Sequence, residues 1–226
     1  MFRIFMHSFW ISALVVLTGC ATAGLDKKAT TLDLSKESIA VFTANMTNTF
    51  KPTYRLGNLT AIAVKQGTTT PTLMGSGELE TASEDILVSI KLAPGVYSLI
   101  QLNGMTNGSL FNGAMAYSVN GEFEIPAQAV VYLGHLKLVN KERVNVDDQA
   151  SGGVIPLVNQ AVSGFANGVL DINLIDRFER DNALFKDAYP ALKNTSIVRS
   201  PIKQLSIPRA NTSKAEPLTV TLESSK

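Results

Sequence analysis

The stretch Ile86-Leu87-Val88-Ser89-Ile90-Lys91-Leu92, followed by Ala93-Pro94-Gly95 and then Val96-Tyr97-Ser98-Leu99-Ile100-Gln101-Leu102, carries the clearest structural signal in the chain. Ile86, Val88, Ile90 and Leu92 alternate with Leu87, Ser89 and Lys91, a period of two that gives a β-strand one apolar face. Proline presets φ and glycine accepts positive φ, so Pro94-Gly95 reads as a turn. The return of β-type residues from Val96 predicts a hairpin.

Outward from this centre the same character persists. Ile39 to Phe42 is a β-type run, and Leu59 to Val64 alternates between Gly57-Asn58 and Gln66-Gly67. Thr68 to Thr72 is polar, turn-like and contains Pro71. Met74-Gly75-Ser76-Gly77 has a Gly-x-Gly spacing without the strand-then-helix context of a phosphate loop, and it reads as a loop entering a strand. Asn120-Gly121, between Tyr117-Ser118-Val119 and Glu122-Phe123-Glu124-Ile125, predicts a second hairpin. Ala129 to Val139 is a long strand. It places Val130, Tyr132, Leu136 and Leu138 on one face and Val131, Leu133, His135, Lys137 and Val139 on the other, with Gly134 marking either a bulge or the close approach of another backbone. Val169 to Ile175 alternates with Leu170, Ile172 and Leu174 inward.

One helix is predicted near 177–189. Asp176-x-x-Glu179 has the form of a capping box, and Phe178, Phe185, Tyr189 and Leu192 make its apolar stripe before Pro190 stops the regular turn. Val154 to Val169 reads either as a short helix or as a folded-over loop. Its apolar residues either cover the core or form a partner-binding patch. Strands at hairpin spacing, a C-terminal helix and no βαβ alternation predict a mainly β fold: an antiparallel β-sandwich of immunoglobulin type with one C-terminal helix. The domain is expected over 38–200. Residues 201–226 are expected as an extended tail with one edge strand at Leu218 to Leu222.

The N-terminus has a different character. Arg3 supplies a positive charge, and Phe9 to Leu17 is apolar apart from Ser12. Leu17-Thr18-Gly19-Cys20 follows, ending in the single cysteine of the chain. These features resemble the signal and lipobox of bacterial lipoproteins. That resemblance implies a signal peptide over 1–19, cleavage before Cys20, acylation of Cys20, and membrane attachment through the lipid. With Ala21 next, it further implies the outer membrane facing the periplasm in a Gram-negative source. A plain secretory signal cut near Ala21-Thr22-Ala23 is the alternative. Small, polar and charged residues over 20–37 read as a tether.

The combination of Pro94-Gly95-Val96-Tyr97-Ser98-Leu99, Tyr132-Leu133-Gly134 and Asp176 to Pro190 resembles uncharacterised bacterial lipoproteins with a prealbumin-like sandwich. That implies a fold and no activity.

Composition narrows function chiefly by what is missing. Loss of residues 1–19 removes Arg3 as its only charge. The 20 Lys+Arg of the whole chain then fall to parity with the 19 Asp+Glu, and nucleic acid is not an expected partner. One cysteine forbids an internal disulfide. The same cleavage removes His7 and Trp10, leaving His135 as the sole histidine. No nucleophile–base–orienter set is visible, and His135 reads as a surface strand residue. Metal sites and cofactors are not expected, Asp147-Asp148 being the one local acidic pair. Asp171, Asp176, Glu179 and Asp181 lie close in sequence, but with Arg177 and Arg180 interleaved they read as a solvated helix face with an Arg177–Asp181 pair. Tyr54, Tyr97 and Tyr117 are the aromatic platforms left for a sugar. The expectation is a non-enzymatic binding or scaffolding lipoprotein with an envelope protein as partner. An envelope hydrolase using Glu179 and Asp181, or a small-ligand carrier, is the rival.

Overall fold

The computed structural model describes residues 24–78, 84–107, 113–145, 147–152 and 163–208. The signal region and Cys20, residues 154–162 and Leu218 to Leu222 lie outside them. The described chain is mainly β with a single α-helix. The strands are β1 (Ser38–Asn48), β2 (Arg55–Lys65), β3 (Pro71–Glu78), β4 (Ile86–Leu92), β5 (Gly95–Asn107), β6 (Gly113–Ile125), β7 (Val130–Glu142) and β8 (Gly168–Ile175). Helix α1 (Phe178–Ala188) and a 3-10 turn (Pro190–Leu192) follow, then β9 (Ile197–Arg199) and β10 (Lys203–Ser206). Residues 71–78, expected as a turn and loop, form β3.

Ten strands make two five-stranded sheets. The first runs β4-β1-β7-β8, with β9 also on β7; the second runs β10-β6-β5-β2-β3. Six pairings are antiparallel, in keeping with the mainly antiparallel arrangement expected, while β1–β7 and β7–β9 are parallel exceptions. The cause is visible in the residues. Ser38 to Ala44 is buried without a break, as is Val130 to Leu136. Strands covered on both faces read as continuous apolar runs, the setting in which parallel pairs occur.

The hairpin expected at Pro94-Gly95 is a corner between sheets. β4 pairs with β1 in the first sheet, whereas β5 pairs with β2 and β6 in the second. Gly95 takes φ +147°, and a Cβ there would lie 2.6 Å from Lys65 Cε. Lys65 Nζ donates to the Pro94 carbonyl at 2.7 Å, and the Tyr97 hydroxyl donates to the Ala93 carbonyl at 2.8 Å, fixing the corner. The hairpin expected at Asn120-Gly121 is also absent, because β6 runs straight through both residues.

Two apolar clusters hold the domain. One lies between the sheets and includes Phe42, Leu59, Ile90, Leu102, Tyr117 and Phe123. The other lies outside the first sheet, where Ile39, Val41, Leu87, Val130 and Tyr132 meet Phe185, Tyr189 and Leu192. The helix stripe read from sequence therefore has its place. The tether expected from residue 20 is docked from residue 24 onward. Leu25, Leu32 and Leu34 pack on the outer cluster, and the Leu25 amide donates to Ser89 Oγ at 2.8 Å. Burying those leucines offsets the cost of ordering the segment.

Candidate functional site

Of the two readings of Gly134 a bulge is present, and it corrects the expected faces of β7, since Val130 and Tyr132 lie in the outer cluster but Leu136 and Leu138 in the inner one. Val41 pairs with Tyr132, but Thr43 pairs with His135, so β7 carries one extra residue there. Gly134 takes φ +120°, and a Cβ would sit 2.5 Å from Leu174 Cδ1. An extra residue inverts the alternation. Val131 and Leu133 point inward before it, Leu136 and Leu138 after it. His135 therefore joins Tyr132 on the outer face beneath α1 and has no solvent exposure, which corrects its reading as a surface residue.

Helix α1 brings Asp181 onto this pair. Thr43 Oγ1 donates to Asp181 Oδ2 at 2.5 Å, and the Tyr132 hydroxyl donates to the same oxygen at 2.6 Å. Thr43 Oγ1 also lies 2.8 Å from His135 Nδ1. Since the threonine proton is committed to the carboxylate, His135 Nδ1–H donates to Thr43 Oγ1 and Nε2 is left as a bare acceptor. His135 Nε2 and Asp181 Oδ1 have no hydrogen-bond partner among the described residues.

Burial governs the protonation of the group. It pushes His135 down to about 3, helped by the positive charges of Arg177, Arg180 and Lys137. Burial raises the Asp181 carboxyl, against the hydrogen bonds from Thr43 and Tyr132 and the Arg180 charge. The Tyr132 phenol is raised by burial and then by its bond to Asp181. Thr43, His135 and Asp181 superficially offer a hydroxyl, a base and an acid. The order of proton donation is reversed for a nucleophile, however, and all three are sealed from solvent. The arrangement binds helix to sheet.

The helix charges divide accordingly. Asp181 is buried and bonds to Thr43 and Tyr132 in place of the expected Arg177 pair. Arg180 bridges to Asp85, which also accepts from Asn45 Nδ2 at 3.1 Å. Glu179 is exposed and accepts from Arg199 Nη2 at 2.8 Å, while Arg199 Nη1 donates to Asp176 Oδ2 at 3.1 Å. The Arg199 guanidinium lies 4.4 Å from the Phe178 ring centroid. Glu179 and Asp181 thus do not share one cleft. The capping box expected at Asp176 and Glu179 does not form: Arg177 is the N-cap and makes no side-chain cap bond, the Phe178 amide donates to Asp176 Oδ1 at 3.0 Å across a local turn, and Glu179 turns to Arg199.

The remaining sequence candidates fall elsewhere. Tyr54, Tyr97 and Tyr117 are all core residues, so none is a sugar platform. Among the described residues no three His, Cys, Asp or Glu side chains converge as metal ligands. Residues 163–167, the described start of the later part of Val154 to Val169, form a turn, and Phe165 fills the inner core.

A second buried polar node went unread in the sequence. Ser151 Oγ donates to Asn140 Oδ1 at 2.6 Å, Asn140 Nδ2 to Asn48 Oδ1 at 3.1 Å, and Asn48 Nδ2 to the Ser163 carbonyl at 3.1 Å. Each asparagine sits on a strand at a position that alternation turns inward, the one signal available.

No helix among the described residues is long and apolar enough to cross a membrane. No protein-family model matches the chain, and no curated protein does. Among solved structures it is similar to a leucine-rich repeat protein from Bacteroides thetaiotaomicron VPI-5482, with 10% identity and a TM-score of 0.32. The similarity covers 46% of this chain, which spans 14% of that one.

Proposed function

We propose that this chain is a bacterial lipoprotein, cleaved before Cys20 and acylated on it, whose β domain is a non-enzymatic binding or scaffolding module of the cell envelope. Leu17-Thr18-Gly19-Cys20 after an apolar run is the observation that carries the reading. The finer fold assignment, a β-sandwich of the immunoglobulin or prealbumin kind, goes with it, supported by two five-stranded sheets around a shared apolar cluster. A binding role is favoured over hydrolysis because the hydroxyl–imidazole–carboxylate group found among the described residues is sealed beneath α1.

The docked segment sharpens the membrane side of the proposal. Residue 24 abuts Ser89, so only three residues, or four chain steps, separate an acylated Cys20 from the domain surface. At 3.3–3.6 Å per residue that is a reach of at most about 14 Å. The domain then sits close to the bilayer, with the β4 side of its first sheet nearest the lipid. A Cys20→Ser variant tests the reading. Radiolabelled fatty acid enters the wild-type chain and is absent from the variant; equal labelling of both contradicts the proposal.

A further inference from the structure

Where β5, β6 and β10 lie side by side, the second sheet carries a concavity of about 590 Å³. Two irregularities coincide there. The β5–β6 register shifts between Leu99 and Gln101, and the β6–β10 register shifts between Lys203 and Ser206. Gln204, inside the second shift, takes φ +51°, a conformation uncommon for a residue with a side chain. Backbone strain of this kind tends to gather at ligand sites.

Ser98, Asn120, Glu122, Gln204 and Ser206 surround the concavity. Glu122 Oε2 accepts from Gln66 Nε2 at 2.8 Å. The side chains of Ser98, Asn120, Gln204 and Ser206 make no hydrogen bond to any described residue, and Ser206 is only 6% exposed. Two amides and two hydroxyls therefore border one concavity without a described hydrogen-bond partner. Among the described residues no cation lines it; Lys203 is opposite Glu122 in register but is not part of the wall.

Those properties select a ligand class. A phosphate or carboxylate would meet the Glu122 charge inside the concavity, where no described lining residue is a cation. A lipid tail would leave the amides and hydroxyls unpaired, at a cost of roughly 1–3 kcal/mol each. A neutral ligand dense in hydroxyl groups matches the amides, the hydroxyls and the carboxylate together. The volume lies in the range of small-molecule sites. We propose that the β5–β6–β10 concavity binds a neutral saccharide, held by hydrogen bonds to Ser98, Asn120, Glu122 and Gln204. This inference does not depend on acylation of Cys20.

The test is an amide NMR titration of the processed full chain in detergent micelles with maltotriose, cellobiose and N,N′-diacetylchitobiose, each to about 10 mM, a range suited to weak sites. Glucose 6-phosphate is the anionic control. A saturating shift confined to residues around 98, 120–122 and 204–206 is expected with at least one neutral sugar. It should weaken at least about tenfold in Asn120→Ala/Gln204→Ala, from two lost hydrogen bonds. Ser98→Arg, which fills the concavity without touching the core, should abolish it. Unchanged melting temperatures show that both variants are folded. The proposal is overturned by no shift with any of the three sugars, by shifts centred elsewhere, by binding that both variants retain, or by equal binding of glucose 6-phosphate.

Discussion

Thr43 Oγ1 lies 2.8 Å from His135 Nδ1 across a parallel strand pair, joining residues 92 apart in the chain. The contact exists because Gly134 adds one residue to β7 and turns His135 toward the helix. Asp181 then closes the group from above, so sheet, bulge and helix are mutually dependent. Loss of one member strands the others in a low-dielectric interior, where an unpaired polar group is costly.

Asp181→Ala should therefore destabilise the domain by about 2–4 kcal/mol, since it leaves the Thr43 and Tyr132 hydroxyls unpaired. Glu179→Ala, two residues away but exposed, should change stability by less than about 1 kcal/mol. Urea unfolding of the two variants checks the contrast, and equal effects would refute the division of the helix into a buried and a solvated acid.

Stability should also depend on acid through His135. Its folded pKa of about 3 lies below the ordinary value of 6.5, so its contribution is fully present above pH 6.5 and is lost as pH falls toward 3. The slope from this residue alone can reach about 1.4 kcal/mol per pH unit. The raised Asp181 carboxyl acts in the opposite sense: its contribution is present below pH 3.8 and is lost as pH rises through the raised folded value. His135→Gln removes the first term, so between pH 6.5 and 4 the variant should lose less stability than the wild type. Parallel pH profiles would show that His135 is not held neutral.

Gly134→Ala should cost about 2 kcal/mol or more, because it combines a positive φ with a Cβ 2.5 Å from Leu174 Cδ1. Thermal melting measures it. A variant as stable as the wild type would mean that the bulge is free to relax.

Residues 24–36 should resist proteolysis even though they contain no strand or helix. Leu32→Ser/Leu34→Ser should open cleavage at Lys27 and Lys28 and lower stability by roughly 1–3 kcal/mol, from the apolar area returned to water. Cleavage at Lys27 in the wild type at the same rate would show an undocked segment.

Much of this fold can be read from residue order, and the failures share one cause. Alternation reports which faces of a strand are covered, and on that basis β4, β7, β8 and the α1 stripe are legible. It does not report which strand lies alongside. Leu87, on the nominally polar face of β4, is buried in the outer cluster, so β4 is covered on both faces in the first sheet while β5 lies in the second. Asn120-Gly121 could have been resolved by phase. A two-residue turn would put Val119 and Glu122 on one face, whereas Tyr117, Val119, Phe123 and Ile125 keep a single unbroken phase and are all buried. The sealed Thr43–His135–Asp181 group was hidden by Gly134, since one inserted residue reverses every facing assignment beyond it. The concavity beside β10 had no local signature because its walls combine residues around 98, 120 and 204, which only the sheet brings together.

The reading of this chain as a lipid-anchored envelope protein meets its most direct test in the mass of the N-terminal peptide recovered from membranes of the producing bacterium. The account predicts a peptide that begins at Cys20 and carries the added mass of a diacylglyceryl group, with or without a third acyl chain. An unmodified peptide beginning after Ala23, or one that still contains residues 1–19, would contradict it.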